Sequence, residues 1–421
     1  MKHLLMVCLI LLTGFRLSAQ GGLDLETCYR LAEERLPVQK LYPLQEQNAN
    51  LEMDKLALQR LPQLSWNAKV VGQSQGVEVP FTPPGADGPI RQPLINGQTT
   101  LEASYLLYDG GVNEAQGRLI RAEEAVDRQS VAVEANKLKP RINSLFFNIL
   151  LLQAQDSILE NNQGTLQARL EVLKAGEKQG TVLPGVVTQL EIEILKLESR
   201  REETAGKRKA MAALFADMTG LSPEQTAVLK VPDMQPAPDA MQVNRPELKY
   251  FDLRRQQIAE SNALIDAGKK PMLSLFAQAG VGYANPLNFF DQSLSPFAIG
   301  GVQFRWAFDW GKSKKDKELT AVKMQTVENQ REQFLYELNL LDNRYAADKA
   351  TIEKQIERDR EIASLQAELL NISASQLNHG VITASEYLQQ FNAGVDTQLN
   401  VRLHELALLQ LQADYFTQKG F

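Results

Sequence analysis

The feature that most constrains this chain is an internal duplication. The motif Asp-Gly-Gly at residues 109–111 recurs as Asp-Trp-Gly at residues 309–311, an offset of 200 residues. Gly-Thr-Val at residues 180–182 recurs at the same offset as Gly-Val-Ile at residues 380–382. Repeated landmarks at a fixed spacing indicate an architecture built from a repeated unit. The chain is therefore interpreted as two copies of one unit.

The copies differ in the length of one loop. Pro-Gln-Leu at residues 62–64 recurs as Pro-Met-Leu at residues 271–273, an offset of 209 residues. The nine-residue difference between the two offsets falls between Pro62 and Asp109. A proline-rich stretch separates the copies, because repeated prolines prevent one continuous helix there. The expected segments are a signal peptide (1–19), a first repeat (20–221), a linker with short helices (222–245) and a second repeat (246–421).

Each copy predicts a helix, two strands, one very long helix and a returning helix. In the first copy these elements are expected at about residues 24–60, 63–108, 112–178 and 184–218. In the second copy they are expected at about residues 246–270, 272–309, 312–378 and 382–418.

The strands are predicted from alternating apolar and polar residues. Leu64, Trp66, Ala68 and Val70 share one side of the first strand, and Lys69 lies on the other side. Similar alternation marks the other three strands, and it extends through Trp306 and Phe308 in the last one. Long loops rich in turn-forming residues join the two strands of each pair, so each copy predicts one β-hairpin.

Two explanations fit such strands. An isolated hairpin could belong to a sheet that packs on helices. Charged residues opposite an aromatic and aliphatic side instead suit a membrane barrel with lipid outside and water inside. Four strands cannot close a barrel, since the smallest use about eight, so several chains must contribute strands. The residues assigned to the barrel lumen are Lys69, Glu102, Gln303 and Arg305.

The long helices predict coiled-coil packing. A leucine recurs every seven residues along the first one, at Leu145, Leu152, Leu159, Leu166 and Leu173. With a rise of ~1.5 Å per residue, residues 112–178 would extend about 100 Å. Pro140 should bend this helix or loosen one turn.

Both long helices end at a glycine, Gly180 or Gly380, where the chain must reverse direction. A helical hairpin turn accounts for these glycines by itself. Two similar, partly apolar tips also suit docking to another helical protein. The residues assigned to the docking tips are Gly180, Thr181, Val182, Leu183, Gly380, Val381, Ile382 and Thr383.

The two Asp-x-Gly motifs follow strands and precede helices. They lack the Gly-Lys-Ser/Thr continuation of a phosphate-binding loop. They are therefore interpreted as strand-to-helix turns in which glycine relieves backbone strain. The residues assigned to these turns are Asp109, Gly110, Gly111, Asp309, Trp310 and Gly311.

The N-terminus predicts export. Lys2 precedes an apolar run at residues 4–12, and small residues before Gln20 form a cleavage site. Loss of Lys2 and Arg16 with this signal lowers the formal net charge by two, from −6 to −8. With that charge, and no Lys/Arg-rich stripe to serve as a footprint, nucleic-acid binding is not expected.

After the signal, the most apolar stretch is residues 145–152, far short of the ~20 residues of a membrane-spanning helix. If the protein crosses a membrane, strands must do so. Its three histidines are scattered at His3, His379 and His404, so neither a metal cluster nor a histidine-based triad can be assembled. Cys28 is the single cysteine after the signal, which excludes a disulfide framework. We expect no enzyme activity, cofactor or metal.

The layout resembles the TolC family of outer-membrane efflux proteins over essentially the whole chain after the signal. The motifs are loose individually, and their order and spacing are specific. They are the strand entry at residues 62–64, Leu-Tyr-Asp-Gly-Gly at 107–111, Arg-Pro-Glu-Leu at 245–248, Phe-Asp-Trp-Gly at 308–311 and the two glycine tips.

The resemblance implies α plus membrane-β architecture: a homotrimer with a twelve-stranded β-barrel, four strands per chain, continued by a coiled-coil barrel of twelve periplasmic helices. It implies the outer membrane of a Gram-negative bacterium, a periplasmic membrane-fusion (adaptor) protein at the tips and an inner-membrane pump. The expected function is the passive exit duct of a tripartite efflux or type I secretion system. A secreted or surface coiled-coil scaffold or adhesin without a transmembrane barrel is the alternative.

Members of this family form a selectivity ring from acidic residues just beyond the second tip. Glu386 lies at the first such position here, while the next holds Gln389. The comparable place in the first copy holds Val186. The resemblance therefore assigns Glu386 and Gln389 to the periplasmic entrance. A ring formed by these residues would carry less negative charge than the rings of other family members. A solvated helix residue is the other explanation for Glu386.

Overall fold

The computed structural model describes residues 23–78, 80, 82, 91–226, 229–234, 242–288 and 291–421. The predicted signal peptide lies outside these residues. The chain divides into two compact units, each built from both sequence copies. The helical unit comprises Met1–Leu41, Val131–Leu248 and Glu332–Phe421. The sheet unit comprises Tyr42–Ser130 and Lys249–Arg331.

Both copies contain a helical segment, two strands, long helical structure and a returning helix, in that order. The strands are β1 (Gln63–Gly72), β2 (Ile95–Tyr108), β3 (Met272–Tyr283) and β4 (Ser295–Arg305). The helices are α1 (Leu25–Arg35), α2 (Leu41–Leu58), α3 (Val112–Asn136), α4 (Lys139–Lys178), α5 (Pro184–Thr219), α6 (Pro223–Thr226), α7 (Pro246–Ala267), α8 (Lys312–Asn378) and α9 (Ala384–Lys419).

The prediction of one helix at residues 24–60 is wrong. Helix α1 ends at Arg35, and a 3₁₀ turn at Pro37–Lys40 separates it from α2. Pro37 lacks a backbone N–H and restricts the preceding residue, so it begins a new turn and does not continue α1. The α6 segment confirms that the linker contains a short helix.

Pro140 interrupts the first long helix, as predicted. Helix α3 ends at Asn136 and α4 begins at Lys139, so Pro140 occupies the first turn of α4, where no intrahelical donor is required. The corresponding helix of the second copy, α8, has no proline and runs uninterrupted for 67 residues.

The helical unit has two large hydrophobic clusters. One is formed by α1, α4, α5 and α9 around Phe146 and Phe215, which are fully buried. The other lies where α4, α5 and α9 pack close to both tips. Leu159, Leu166 and Leu173 of the predicted seam are buried in this second cluster, whereas Leu145 and Leu152 are half-buried. The seam is therefore confirmed in its C-terminal part.

The sheet unit contains one antiparallel sheet in the order β1-β2-β3-β4. Pairing of β2 with β3 joins the hairpins of the two copies, with Glu102 opposite Gln278. Among the described residues, β1 pairs only with β2 and β4 only with β3, so both outer strands have an open edge. No described helix is both long and apolar enough to cross a membrane.

The prediction that the last strand extends through Trp306 to residue 309 is wrong, because β4 ends at Arg305. The apolar alternation continues beyond the last backbone pair, which joins Met272 to Arg305. Trp306 and Phe308 are exposed residues of the connection that follows.

Candidate functional site

All four residues predicted for the lumen lie on one face of the sheet. Directly paired residues share a face, and so do alternate residues of a strand. Lys69 is opposite Gln98. Gln98 and Glu102 are four residues apart in β2, so they lie on the same face. Glu102 is opposite Gln278, and the pairs of β3 with β4 place Gln303 and Arg305 on that same face.

Polar side chains on this face bind one another. The Glu102 carboxylate accepts a hydrogen bond from Gln278 Nε2 at 3.0 Å and from Thr100 Oγ1 at 3.3 Å. The contact with Gln278 joins β2 to β3 across the boundary between the two sequence copies, whereas Thr100 lies on β2 itself. The face presents amides, hydroxyls and charges, and is suited to contact with water.

The opposite face of the sheet is apolar and exposed. The strand positions that point to it carry no charged side chain in β1 to β4. Trp66 is 77% exposed and Val70 is 79% exposed. The other large apolar residues exposed on this face include Leu64, Ile95, Leu101, Tyr105, Leu275, Val302 and Phe304. A surface of this extent requires an apolar environment or a partner.

The strand-to-helix turns are built in the same way in both copies. The Asp109 carboxylate accepts hydrogen bonds from Gly111 N at 2.8 Å and from Asn113 N at 2.7 Å. Asp309 accepts from Gly311 N at 3.1 Å and from Ser313 N at 2.9 Å. Each aspartate thus satisfies backbone donors at the start of a long helix, a role that the sequence analysis missed.

Glycine has a conformational reason to occupy these turns. Gly110 and Gly111 have φ of 72° and 87°, and Gly311 has φ of 94°. Trp310 occupies the place of Gly110 in the second copy with φ of 50°, a left-handed conformation that is unfavourable for a residue with a Cβ atom. The predicted strand-to-helix turns are present, and Trp310 is the one strained exception.

Both tips end their helices with the same hydrogen-bond pattern. At the first tip, Thr181 N donates to Gly176 O at 2.9 Å and Gly180 N to Glu177 O at 2.9 Å. At the second tip, Val381 N donates to Gln376 O at 2.9 Å and Gly380 N to Leu377 O at 3.1 Å. Gly180 and Gly380 have φ of 74° and 69°, so each pair of bonds is a Schellman motif with glycine in the left-handed position.

The tip residues differ in exposure. Val182 and Ile382 are half-buried and pack against the cluster formed by α4, α5 and α9. Leu183 is 75% exposed and Val381 is 69% exposed. The apolar surface offered by the tips therefore consists mainly of Leu183 and Val381.

Glu386 has a structural role that the sequence analysis missed. Its carboxylate accepts from Thr383 N at 2.7 Å, while Thr383 Oγ1 accepts from Glu386 N at 3.2 Å. This reciprocal pair is a capping box at the start of α9, recognisable in sequence as Thr-x-x-Glu. In the first copy the cap position is Leu183, which has no side-chain acceptor.

Hydrogen bonds from the backbone and side chain of Thr383 hold the pKa of the Glu386 carboxyl below its ordinary value. A carboxyl with a lowered pKa stabilises the folded tip above its ordinary pKa, and this contribution is lost as the pH falls through the lowered value. Glu386 is therefore ionised at neutral pH. Its side chain is exposed near the tip, and the uncharged side chain of Gln389 is also exposed there.

Arg169 also lies near the second tip and was not predicted. From α4, its Nη2 atom donates to Ala374 O at 2.6 Å and to Asn378 Oδ1 at 2.7 Å, at the C-terminal end of α8. Its guanidinium lies 5.0 Å from the centroid of the Tyr387 ring on α9. Arg169 thus connects three helices, through contacts between positions too distant in the chain for a local pattern to reveal.

Among the described residues, no group of three or more histidine, cysteine, aspartate or glutamate side chains could hold a metal ion. His379 Nδ1 lies 2.8 Å from Ser375 O, and His404 Nδ1 lies 2.5 Å from Asp359 Oδ2. Burial, followed by the negative charge of Asp24, raises the pKa of the Cys28 thiol to about 12, so this cysteine is protonated at neutral pH.

Comparison with known proteins gives a match in structure. No protein-family model matches the sequence, and no curated protein sequence matches it. The outer membrane protein VceC from Vibrio cholerae is 15% identical, with a TM-score of 0.65 over 94% of this chain and 96% of VceC. The CmeC outer membrane channel of Campylobacter jejuni is 12% identical, with a TM-score of 0.64 over 94% of this chain and 85% of CmeC.

The open state of the Neisseria gonorrhoeae MtrE outer membrane channel is a third structural neighbour. It is 14% identical, with a TM-score of 0.60 over 94% of this chain and 88% of MtrE. Identities this low establish similarity of fold. The chain has the TolC-like fold that the sequence resemblance implied, with long helices and a four-stranded antiparallel sheet.

Proposed function

We propose that this protein is an outer-membrane channel of a Gram-negative bacterium, a homotrimeric and passive exit duct for a tripartite efflux or type I secretion system. It would perform no catalysis. The observation that carries the proposal is the sheet, which has one exposed apolar face, one polar face and two open edges. The similarity of fold to outer-membrane channels supports the same conclusion.

The open edges argue for shared strands. Backbone N–H and C=O groups find no water in a bilayer core, so an unpaired strand edge is excluded there. Four strands are half of the roughly eight in the smallest membrane barrels. The strands contain 10, 14, 12 and 11 residues, close to the ~9–11 that cross a bilayer at a tilt. Three chains would supply the twelve strands that the family resemblance implies.

A secreted scaffold or adhesin without a barrel is the less favourable proposal. Such a protein would keep Trp66, Val70 and Phe304 in water with no apolar partner. Lipid on this face and water on the face of Lys69 and Glu102 accounts for both surfaces without an additional partner.

Membrane extraction and gel migration test this assignment. We expect the protein in the outer-membrane fraction, with a band from unheated samples that crosslinks as three chains and converts to monomer on boiling. A soluble monomer that crosslinks to nothing would contradict the channel assignment and favour the scaffold.

The tips are proposed to receive the adaptor. Leu183 and Val381 project from two turns of matching hydrogen-bond geometry, so a trimer would present the same small apolar surface repeatedly. Opening would spread the helices near Gly180 and Gly380. An adaptor drives that change only if it binds the open arrangement more tightly than the closed one.

Charge at the exposed tip residues tests docking. The double variant Leu183→Glu/Val381→Glu should abolish photo-crosslinking between the tips and a helical-hairpin adaptor, because a carboxylate resists burial in an apolar contact. Thr165→Glu/Ser364→Glu adds the same charge at exposed sites away from the tips and should retain the crosslink. Full adaptor capture by the tip variant, with trimers intact, would rule out these residues as the docking surface.

Glu386 is proposed to supply the negative charge at the entrance, and the capping box dictates how to test it. Glu386→Gln removes the charge and retains an acceptor for the cap, whereas Glu386→Ala removes both. In planar bilayers both variants should lose cation preference. Only Glu386→Ala should accelerate amide hydrogen exchange at residues 383–387. Unchanged ion selectivity in both variants would assign Glu386 to the cap alone.

A further inference from the structure

The turn that leads into α8 is strongly basic. The first two turns of helix α8 contain four lysines, Lys312, Lys314, Lys315 and Lys317, and the first three of them are exposed. The equivalent positions of the first copy, 200 residues earlier, are Val112, Glu114, Ala115 and Gly117. Since the two turns share the same backbone design, the lysines are not required to form the turn.

A second chain segment adds to this charge. Lys269 and Lys270 follow α7 and are exposed. Trp306 Nε1 donates to Lys269 O at 3.1 Å, which places these lysines beside the segment that follows β4. Residues 266–270 and 305–318 contain seven basic and four acidic residues, a formal charge of +3. The equivalent residues 57–61 and 105–118 contain two of each and are neutral.

Part of this positive charge has no ion-pair partner among the described residues. Lys317 is paired with Asp266 at 2.7 Å, and Lys315 with Glu318 at 2.6 Å. Lys270, Lys312 and Lys314 form no ion pair with any residue that the structure describes.

Aromatic side chains lie between these lysines in sequence. Trp306 and Phe308 are exposed, with ring centroids 5.3 Å apart. Trp310 is 99% exposed and holds a φ of 50°, at a position where the first copy has a glycine. An indole that is fully exposed in an unfavourable backbone conformation gains nothing from packing within the chain. Tryptophan is enriched at the boundary between lipid and water, where its ring meets apolar chains and its N–H meets polar groups.

We propose that these residues form a binding surface for the headgroups of anionic phospholipids at one boundary of the membrane. The basic collar, as we name it, consists of Lys269, Lys270, Trp306, Phe308, Trp310, Lys312, Lys314 and Lys315. The collar rests on the proposed function, because it requires the apolar sheet face beside Phe304 to contact lipid. Lysine ammonium groups bind the phosphate, and the rings contact the first part of the acyl chains.

The location fits the ligand. The aromatic residues of the collar begin directly after Arg305, the last residue of β4, so they extend the apolar alternation of Val302 and Phe304 beyond the end of the strand. Its charge favours an acidic headgroup over a zwitterionic one. A trimer would carry three such collars, all contributed by the second copy of the repeat.

Tryptophan quenching by brominated phospholipids tests the proposal. The chain has three tryptophans, so Trp66→Phe leaves only the collar residues Trp306 and Trp310 to report. Trimers of this variant are reconstituted with phosphatidylcholine or phosphatidylglycerol carrying brominated acyl chains, and the ratio of the two quenching affinities is measured. The test variant adds Lys312→Gln/Lys314→Gln/Lys315→Gln. The matched control adds Lys207→Gln/Lys209→Gln/Lys354→Gln, which removes the same charge from exposed sites elsewhere.

We expect the parent and the control to prefer phosphatidylglycerol by about fivefold or more, the factor that one engaged lysine supplies. The preference should fall severalfold in the test variant, which keeps Lys269 and Lys270 as the only lysines of the collar. As a measurement that needs no variant, raising the salt concentration should reduce the parent's preference, because screening weakens exposed charge pairs.

The outcomes separate the two proposals. Quenching by both lipids without preference in the parent would overturn the collar and leave the channel intact. An equal loss of preference in the control would assign the effect to net charge and would also overturn the collar. No quenching by either lipid would also overturn the collar. If the chain that keeps Trp66 is not quenched either, the outer-membrane channel itself is contradicted.

Discussion

The unpaired backbone at the edges of the sheet is the constraint on which the rest of this structure depends. Strands β1 and β4 each expose one row of N–H and C=O groups, and the sheet between them presents an apolar face that water does not favour. Placing that face in lipid makes the open edges untenable, and pairing between copies removes them. In this account, oligomerisation is a condition for the strands to enter the membrane.

The duplication shows how one backbone design acquires different chemistry in each copy. Asp109 and Asp309 cap long helices with equivalent hydrogen bonds, yet one turn is neutral and the other is basic and aromatic. The tips share the same Schellman motif, yet only the second has a capping box, formed by Glu386 at the position where the first copy has Val186. Most residues that set the backbone are repeated, with Trp310 in place of Gly110 as the exception, whereas residues that would contact partners, ions or lipid have diverged.

Local sequence patterns predicted what depends on local geometry. Alternation placed Lys69, Glu102, Gln303 and Arg305 on one face correctly, because the two-residue period of a strand determines the direction of each side chain. Proline marked the helix break at Pro140, and glycine marked the two tips. Each acts on the backbone conformation within one turn, so a local pattern can reveal it. Alternation failed at Trp306, where an apolar row continues after the last backbone pair.

Other features depend on contacts that such patterns do not encode. Pairing of β2 with β3 joins residues far apart in the chain, and Arg169 contacts the end of α8 in the same long-range manner. The half-burial of Val182 and Ile382 depends on how α4, α5 and α9 pack at the tips. The capping box of Thr383 and Glu386 was visible in the sequence and was missed, since Glu386 was considered only as an entrance residue.

Spin-label accessibility along β4 can distinguish a sheet with one face in lipid and the other in water from a sheet surrounded by water. Single cysteines at residues 302, 303, 304 and 305, in a Cys28→Ala background, would be labelled in reconstituted trimers. We expect oxygen to relax the labels at 302 and 304 most strongly and a water-soluble nickel complex to relax those at 303 and 305, a period of two. Equal access of the nickel complex to all four labels would contradict a membrane-embedded strand, and with it the channel.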